Sequence, residues 1–360
     1  MAGFQQLSNN ELLQSWCAEV SRREPIALDT EFERQKTYFA ELCLLQLNAG
    51  DNVVLIDPFE VSLAPIVDRF QDEQHQWLVH AGRQDVEILC QIGDDIGGPV
   101  YDTQLAAALC GFPGQIGYAE LVRRVLGVEL EKSQTRTDWR RRPLTSAQLS
   151  YAADDVRYLP SLQNELLERL SRLGRDSWYY EDCRRTYRNV VATLEPASAW
   201  ERVKGLGKLS DGAFARAFGL AAWRECEAQR RNRPRGWILS DQALVTCAEN
   251  NPADRRELAA LLSDTPGLVR KNGDALIDAI SNPDAAGAVP KRPRRPDAEV
   301  RAIVKDLAAR IRQTADALQL EASVLMKRRD IELAAQGKLS PEFVDGWRYQ
   351  QLEDLLKPFV

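Results

Sequence analysis

The chain has 360 residues, 44% hydrophobic and 28% charged, with a net charge of −6. That is the composition of a soluble globular protein with room for two or three domains, and no apolar run approaches the ~20 residues that span a bilayer. Seven scattered cysteines without C-x-x-C spacing, and only two histidines, argue against a disulfide frame or a thiolate zinc site. The N-terminus lacks the basic and apolar regions of a secretory signal, so a cytoplasmic protein is expected.

In chain order, segments 26–29, 41–48 and 52–56 read as three successive strands, with a hairpin turn at Asn48-Ala49-Gly50-Asp51-Asn52. Helices are expected over 65–70 and 83–90, with a short strand at 77–80 feeding the second. A helix over 103–110 takes Asp102 as its N-cap. Helices over 118–126 and 147–173 follow, the latter as one long element. A meander followed by alternating helix and strand predicts an α/β domain with a mixed sheet, residues 1–192. Beyond Trp200 the pattern is helical, at 211–231, 240–249, 255–262 and 273–281, forming a second domain over 193–283. Residues 284–296, rich in proline and arginine, read as a linker. Helices near 298–318, 321–325, 328–336 and 347–356 make a third domain, 297–360.

The chemistry concentrates in few places. Asp29 and Glu31 are two apart on a strand with an apolar start, so they share a face. Carboxylates so placed repel one another and resist desolvation, which suits either a salt-bridged strand end or a metal. With so few histidines, such a metal would be oxygen-ligated, magnesium or manganese rather than zinc. Asp85 falls in the first turn of a helix, where an anion is stabilised by the dipole. Tyr151 and Asp155 are four apart on one helix face, and Asp154, three from Tyr151, is a geometric rival.

Together these residues resemble the DEDD-type 3'→5' exonucleases: Asp29-x-Glu31 on the first strand, Asp85 on a central helix, and Tyr151-x-x-x-Asp155 on a late one. The tyrosine is the mark of the DEDDy branch. Leu42-Cys-Leu-Leu-Gln46, His80-Ala-Gly, Tyr101-Asp-Thr103, Ser133-Gln134, Asp138-Trp139 and Arg142-Pro143-Leu144 are similar, in order, to bacterial ribonuclease D. Trp200-Glu-Arg-Val-Lys-Gly-Leu resembles the start of the HRDC domain that follows the nuclease in that family, and the terminal block a second, more divergent one. The resemblance implies a ribonuclease H-like α/β fold followed by two all-α HRDC-like domains. It selects Asp155 over Asp154 and implies two divalent ions, Mg2+ or Mn2+, on Asp29, Glu31, Asp85 and Asp155. It also implies a monomer that trims transfer RNA precursors and other structured RNAs from the 3' end, releasing nucleoside 5'-monophosphates.

Residues 132–144 carry five basic side chains against one acid, with hydroxyls and Trp139 interleaved. From this stretch Lys132, Arg136, Arg140 and Arg141 are candidate RNA contacts, with Thr30 and Phe32 beside the acidic pair. Trp139, Pro143 and Leu144 read instead as anchors to the core. Arg224, Arg230, Arg231, Arg233 and Arg235 give a basic helix end, suited equally to phosphates or to a solvated face. Two other functions compete: a DNA-directed 3'→5' exonuclease, since the acids read a backbone and not a base, and a non-catalytic RNA-binding scaffold.

Overall fold

Asn9 opens the first helix by accepting the Leu12 N–H in its side chain, and a three-residue strand precedes it. These elements, β1 (Gln5–Leu7) and α1 (Asn10–Glu19), are absent from the sequence expectation. The three expected strands are β2 (Ile26–Glu33), β3 (Glu41–Ala49) and β4 (Asn52–Ile56). β3 and β4 pair antiparallel with Ala49 opposite Asn52, and Gly50 turns the chain at a φ of 56°. Next come α2 (Ala64–Gln71), β5 (Trp77–Val79), α3 (Arg83–Gly93), β6 (Val100–Asp102), α4 (Thr103–Leu109) and α5 (Tyr118–Leu126). The sheet runs β1-β4-β3-β2-β5-β6, with β1 parallel to β4 and both β2 and β6 parallel to β5. This is the expected mixed sheet with flanking helices. The computed structural model describes residues 3–20, 25–50, 52–93, 95–131, 137–188, 190, 195–292 and 297–360.

The single helix expected over 147–173 is two, α6 (Ser146–Arg157) and α7 (Leu159–Leu173), followed by α8 (Asp176–Tyr187). Pro160 causes the break, because it has no N–H for the Val156 carbonyl. The Asn48 side chain bonds the Val156 and Arg157 carbonyls instead, at 3.2 Å each. On another side the Tyr118 hydroxyl donates to Asp154 O (3.0 Å) and accepts from Tyr158 N (3.2 Å), inserting into the helical ladder. One core lies between α6 and the sheet, with Ala27, Leu44, Leu55, Trp139, Ala152 and Val156.

The chain clusters into two compact units, one of Met1–Glu33, Leu42–Val191 and Pro296–Val360, the other of Arg34–Glu41 and Ala192–Arg295. The second holds α9 (Asp211–Arg231), α10 (Arg235–Ile238), α11 (Asp241–Asn250), α12 (Arg255–Leu261) and α13 (Pro266–Ser281). α13 starts seven residues before the expected 273, because Gly273 interrupts the sequence pattern while its bare Cα admits the Arg255 side chain. At the basic end of α9, four of the five arginines are paired with acids. Arg224 is 3% exposed and paired with Asp241 at 2.7 Å, Arg235 pairs with buried Glu225, and Arg230 and Arg231 pair with Glu227. Arg292, expected as a solvated linker cation, is bonded to Asp211 (2.8 Å) and Gly207 O (3.2 Å).

The C-terminal helices α14 (Ala298–Ala317), α15 (Ala322–Leu325), α16 (Arg328–Ala334), α17 (Pro341–Val344) and α18 (Trp347–Leu356) share one hydrophobic core with α4, α5, α7 and α8. Trp347 stacks on Trp178 with ring centroids 4.2 Å apart, and its indole N–H donates to Asp182 at 3.0 Å. Arg348 completes the pairing of Asp182 at 2.8 Å. Among the described residues no helix is long and apolar enough to cross a membrane.

Candidate active site

β2 projects Asp29 and Glu31 from one face, and the end of α6 brings Asp155 to meet them. One carboxylate oxygen from each lies within 4.8 Å of the others. Their partners tell the two aspartates apart. Asp154 turns to Arg157, 2.8 Å away, and its carbonyl is held by Tyr118, while Asp155 joins the cluster. Tyr151, one turn earlier, hydrogen-bonds the Asp155 carboxyl and packs its ring 6.2 Å from that of Trp139.

Asp85 is 8% exposed and lies outside this three-acid group, yet its charge acts on Asp29 and Glu31. Thr30 fixes it: the hydroxyl donates to Asp85 Oδ1 at 2.5 Å, and the Thr30 backbone N–H adds a second bond. Thr30, a candidate RNA contact, is 6% exposed, so its hydroxyl orients a carboxylate and does not face solvent. Alternation places it on the opposite side of the strand from Asp29 and Glu31.

The electrostatics follow from burial without counter-charge. Desolvation pushes the Asp29 carboxyl well above its ordinary range, and Asp85, Asp155 and Glu31 add to it. Burial first, then Asp155 and Asp85, raise Glu31 to about 8. Asp155 is raised to about 7 by burial and Asp154, against the opposing bond from Tyr151. Asp85 is raised to about 6, burial outweighing the Thr30 bonds. Among the described residues no arginine, lysine or histidine enters among the causes for any of the four. An all-oxygen, electron-rich and uncompensated set fits a hard divalent cation.

Two motifs that the sequence left without a role support Asp85. The turn His80-Ala81-Gly82 feeds α3, with Ala81 at a φ of 54° and Gly82 so close that a Cβ would lie 2.5 Å from Val79 Cβ. Asp102 does more than cap α4. Its Oδ1 accepts from Gln104 N (2.8 Å) and Ala81 N (2.9 Å), and its Oδ2 from the Tyr187 hydroxyl (2.7 Å). Thr103 donates to Val79 O at 3.1 Å and lies 2.9 Å from His80 Nδ1. Sequence reasoning saw only the cap, because the other bonds cross from one element to another.

Of the candidate RNA contacts, Lys132 and Arg136 lie outside the described residues. Arg140 and Arg141 are exposed on the loop before α6, and Phe32 is half-buried beside Glu31. Arg142, counted in the same basic stretch, is internal: it bonds Asp57 and the Cys43 and Trp139 carbonyls. Trp139 is 3% exposed, an anchor as expected.

Comparison with known proteins agrees with this geometry. A 3'-5' exonuclease family model matches residues 4–171 and an HRDC domain model residues 214–280. The chain is 35% identical to a ribonuclease D of Sphingobium indicum, covering 96% of this chain and 91% of that one. It is 32% identical to a ribonuclease D of Pseudomonas paraeruginosa, over 98% and 96%. The crystal structure of Escherichia coli RNase D, described as an exoribonuclease involved in structured RNA processing, superposes with a TM-score of 0.85 at 29% identity, covering 99% of this chain and 98% of that one. The catalytic core of RRP6 from Trypanosoma brucei shares the fold, with a TM-score of 0.59 at 21% identity over 79% of this chain and 81% of that one. The chain belongs to the ribonuclease D family of 3'→5' exoribonucleases.

Proposed function

We propose that Asp29, Glu31, Asp85 and Asp155 hold two divalent cations, Mg2+ or Mn2+, at which the terminal phosphodiester of RNA is hydrolysed to a nucleoside 5'-monophosphate. The observation that carries this reading is the convergence of buried carboxylates with no cationic partner among the described residues. When bound, such ions supply an acidified water and neutralise charge on the departing 3' oxygen. Asp29, whose carboxyl feels the other three, is the candidate to serve both ions. Glu31 and Asp155 would help hold the ion that supplies the water, and Asp85 the one that neutralises the departing oxygen. Tyr151 keeps its proton, since a phenol ordinarily titrates near pH 10. Its hydroxyl therefore orients the attacking water rather than deprotonating it. Arg140, Arg141 and Phe32 contact the terminal nucleotides by phosphate pairing and stacking.

The substrates in this reading are transfer RNA precursors and other structured RNAs with free 3' ends, trimmed by a monomer in the cytoplasm. Seven cysteines that form no disulfide fit a reducing compartment. The test is incubation of 3'-tailed RNA and matching DNA with the protein, with Mg2+, with Mn2+ and with chelator. Metal-dependent shortening of the RNA from its 3' end, with 5'-monophosphates as product, is expected. RNA binding without shortening, or preferential shortening of DNA, would overturn the reading.

A further inference from the structure

A cavity of about 450 Å³ lies beside the edge strand β6. Gly98, Pro99 and Tyr101 form one side, and Tyr180, Arg184 and Tyr187 of α8 the other. No residue of the carboxylate cluster lines it. Its volume is that of a small-ligand site and too small for a protein interface. The charge is one-sided: among the described residues Arg184 and Arg188 are the charged ones on the wall, and no acid lines it. Arg188 is shared with Glu342 in an exposed ion pair, whereas Arg184 has no acid partner among the described residues. Tyr180 is 43% exposed, a large aromatic left open to solvent, with its ring 5.8 Å from that of Tyr101.

A rigid tyrosine face next to a cation, without competing acids, is the chemistry that takes a nucleotide. The base stacks on the ring and the phosphate pairs with the guanidinium. The cavity also shares its supports with the site. Tyr187, in its wall, donates to Asp102, which holds the Ala81 N–H at the turn into α3. Arg83, at the start of α3 and two residues before Asp85, donates to Thr186 O on α8 at 2.9 Å. Cavity wall and carboxylate-bearing helix are thus fixed to one another by direct hydrogen bonds. We propose that this cavity is a subsite for an unpaired RNA nucleotide upstream of the 3' end, stacked on Tyr180 with its phosphate on Arg184. The proposal rests on the exoribonuclease activity described above.

Tyr180→Ala and Arg184→Glu test it, since both side chains are exposed and neither belongs to the hydrolytic machinery. kcat and KM are measured on a 12-nucleotide single-stranded RNA and on a trinucleotide, at several salt concentrations. The expected result is a KM for the 12-mer raised about fivefold or more, with kcat unchanged and the trinucleotide unaffected. For Arg184→Glu the salt dependence of the 12-mer KM also flattens, as one phosphate contact is lost. A parent-like KM for the 12-mer overturns the proposal, as does an equal loss on both substrates. Failure of the parent protein to hydrolyse either RNA would instead break the exoribonuclease reading itself.

Discussion

Asp155, half-buried, and Glu225, fully buried, are carboxyls that each receive a hydrogen bond from a tyrosine, Tyr151 in one case and Tyr38 in the other. They differ in their charged neighbours. Glu225, fully buried, also takes two bonds from Arg235, one of them at 2.6 Å. Burial pushes the Glu225 carboxyl up, but Arg235 and Tyr38 outweigh it and hold it below its ordinary value. Asp155 has no arginine among the described residues, shares its space with Asp29 and Glu31, and is raised to about 7. The same fold that neutralises one buried acid leaves three others together without a counter-charge among the described residues. What the second group lacks is a positive charge, which a divalent ion provides.

The comparison breaks most visibly at the cluster. Asp29→Asn or Asp155→Asn is expected to abolish RNA hydrolysis, and to raise the metal-free melting temperature, because a repulsive charge is removed. Normal turnover, or a lower metal-free melting temperature, would contradict the assignment. At the paired acid the same logic runs backwards. Arg235→Ala strands Glu225 and should cost about 3–5 kcal/mol of stability by denaturant unfolding. A loss under about 1 kcal/mol would mean the pair is solvated like a surface one.

Replacing Tyr151 by Phe removes the only uncharged donor named above on Asp155 and should lower kcat about a hundredfold, with metal affinity retained. An unchanged kcat would remove the water-orienting role. Hydrogen-ion linkage separates the two acids by sign. Raised carboxyls contribute stability at low pH that is lost as pH climbs through about 6, 7 and 8 for Asp85, Asp155 and Glu31. The metal-free protein should therefore lose stability across that window, and excess Mn2+ should flatten the slope. Glu225, lowered, contributes stability that is lost only in acid, as pH falls through its folded value. The smallest effect is expected from Tyr118→Phe, about 1 kcal/mol, read as a small fall in melting temperature.

The sheet strands that carry the chemistry were legible because β2, β3 and β4 are apolar runs with a glycine turn between the last two. β1 and β6, three residues each, are too short to show a period, and they exist because the neighbouring strand offers an edge. Asp29 and Glu31 could be paired by alternation alone. Spacing could not separate Asp154 from Asp155, since both stand within reach of Tyr151. In the fold their partners separate them, Asp154 on Arg157 and Asp155 with Asp29 and Glu31, just before the break at Pro160 where Tyr118 and Asn48 enter the ladder. Pro160 was visible, but its partners come from residues 40 and more than 100 positions away. Likewise the sequence left Arg224 and Arg235 open between phosphate contact and a solvated face, because their acids, Asp241 and Glu225, meet them only in the folded unit.

The most direct test is calorimetric titration of Mn2+ into the metal-free protein and into Asp155→Asn at pH 7, each in two buffers of different ionisation enthalpy. Two bound ions per parent chain are predicted, with net proton release as Glu31 and Asp155 surrender their protons, and weakened binding in the variant. Parent-like binding by Asp155→Asn, or binding to the parent without proton release, would contradict a metal-holding carboxylate cluster.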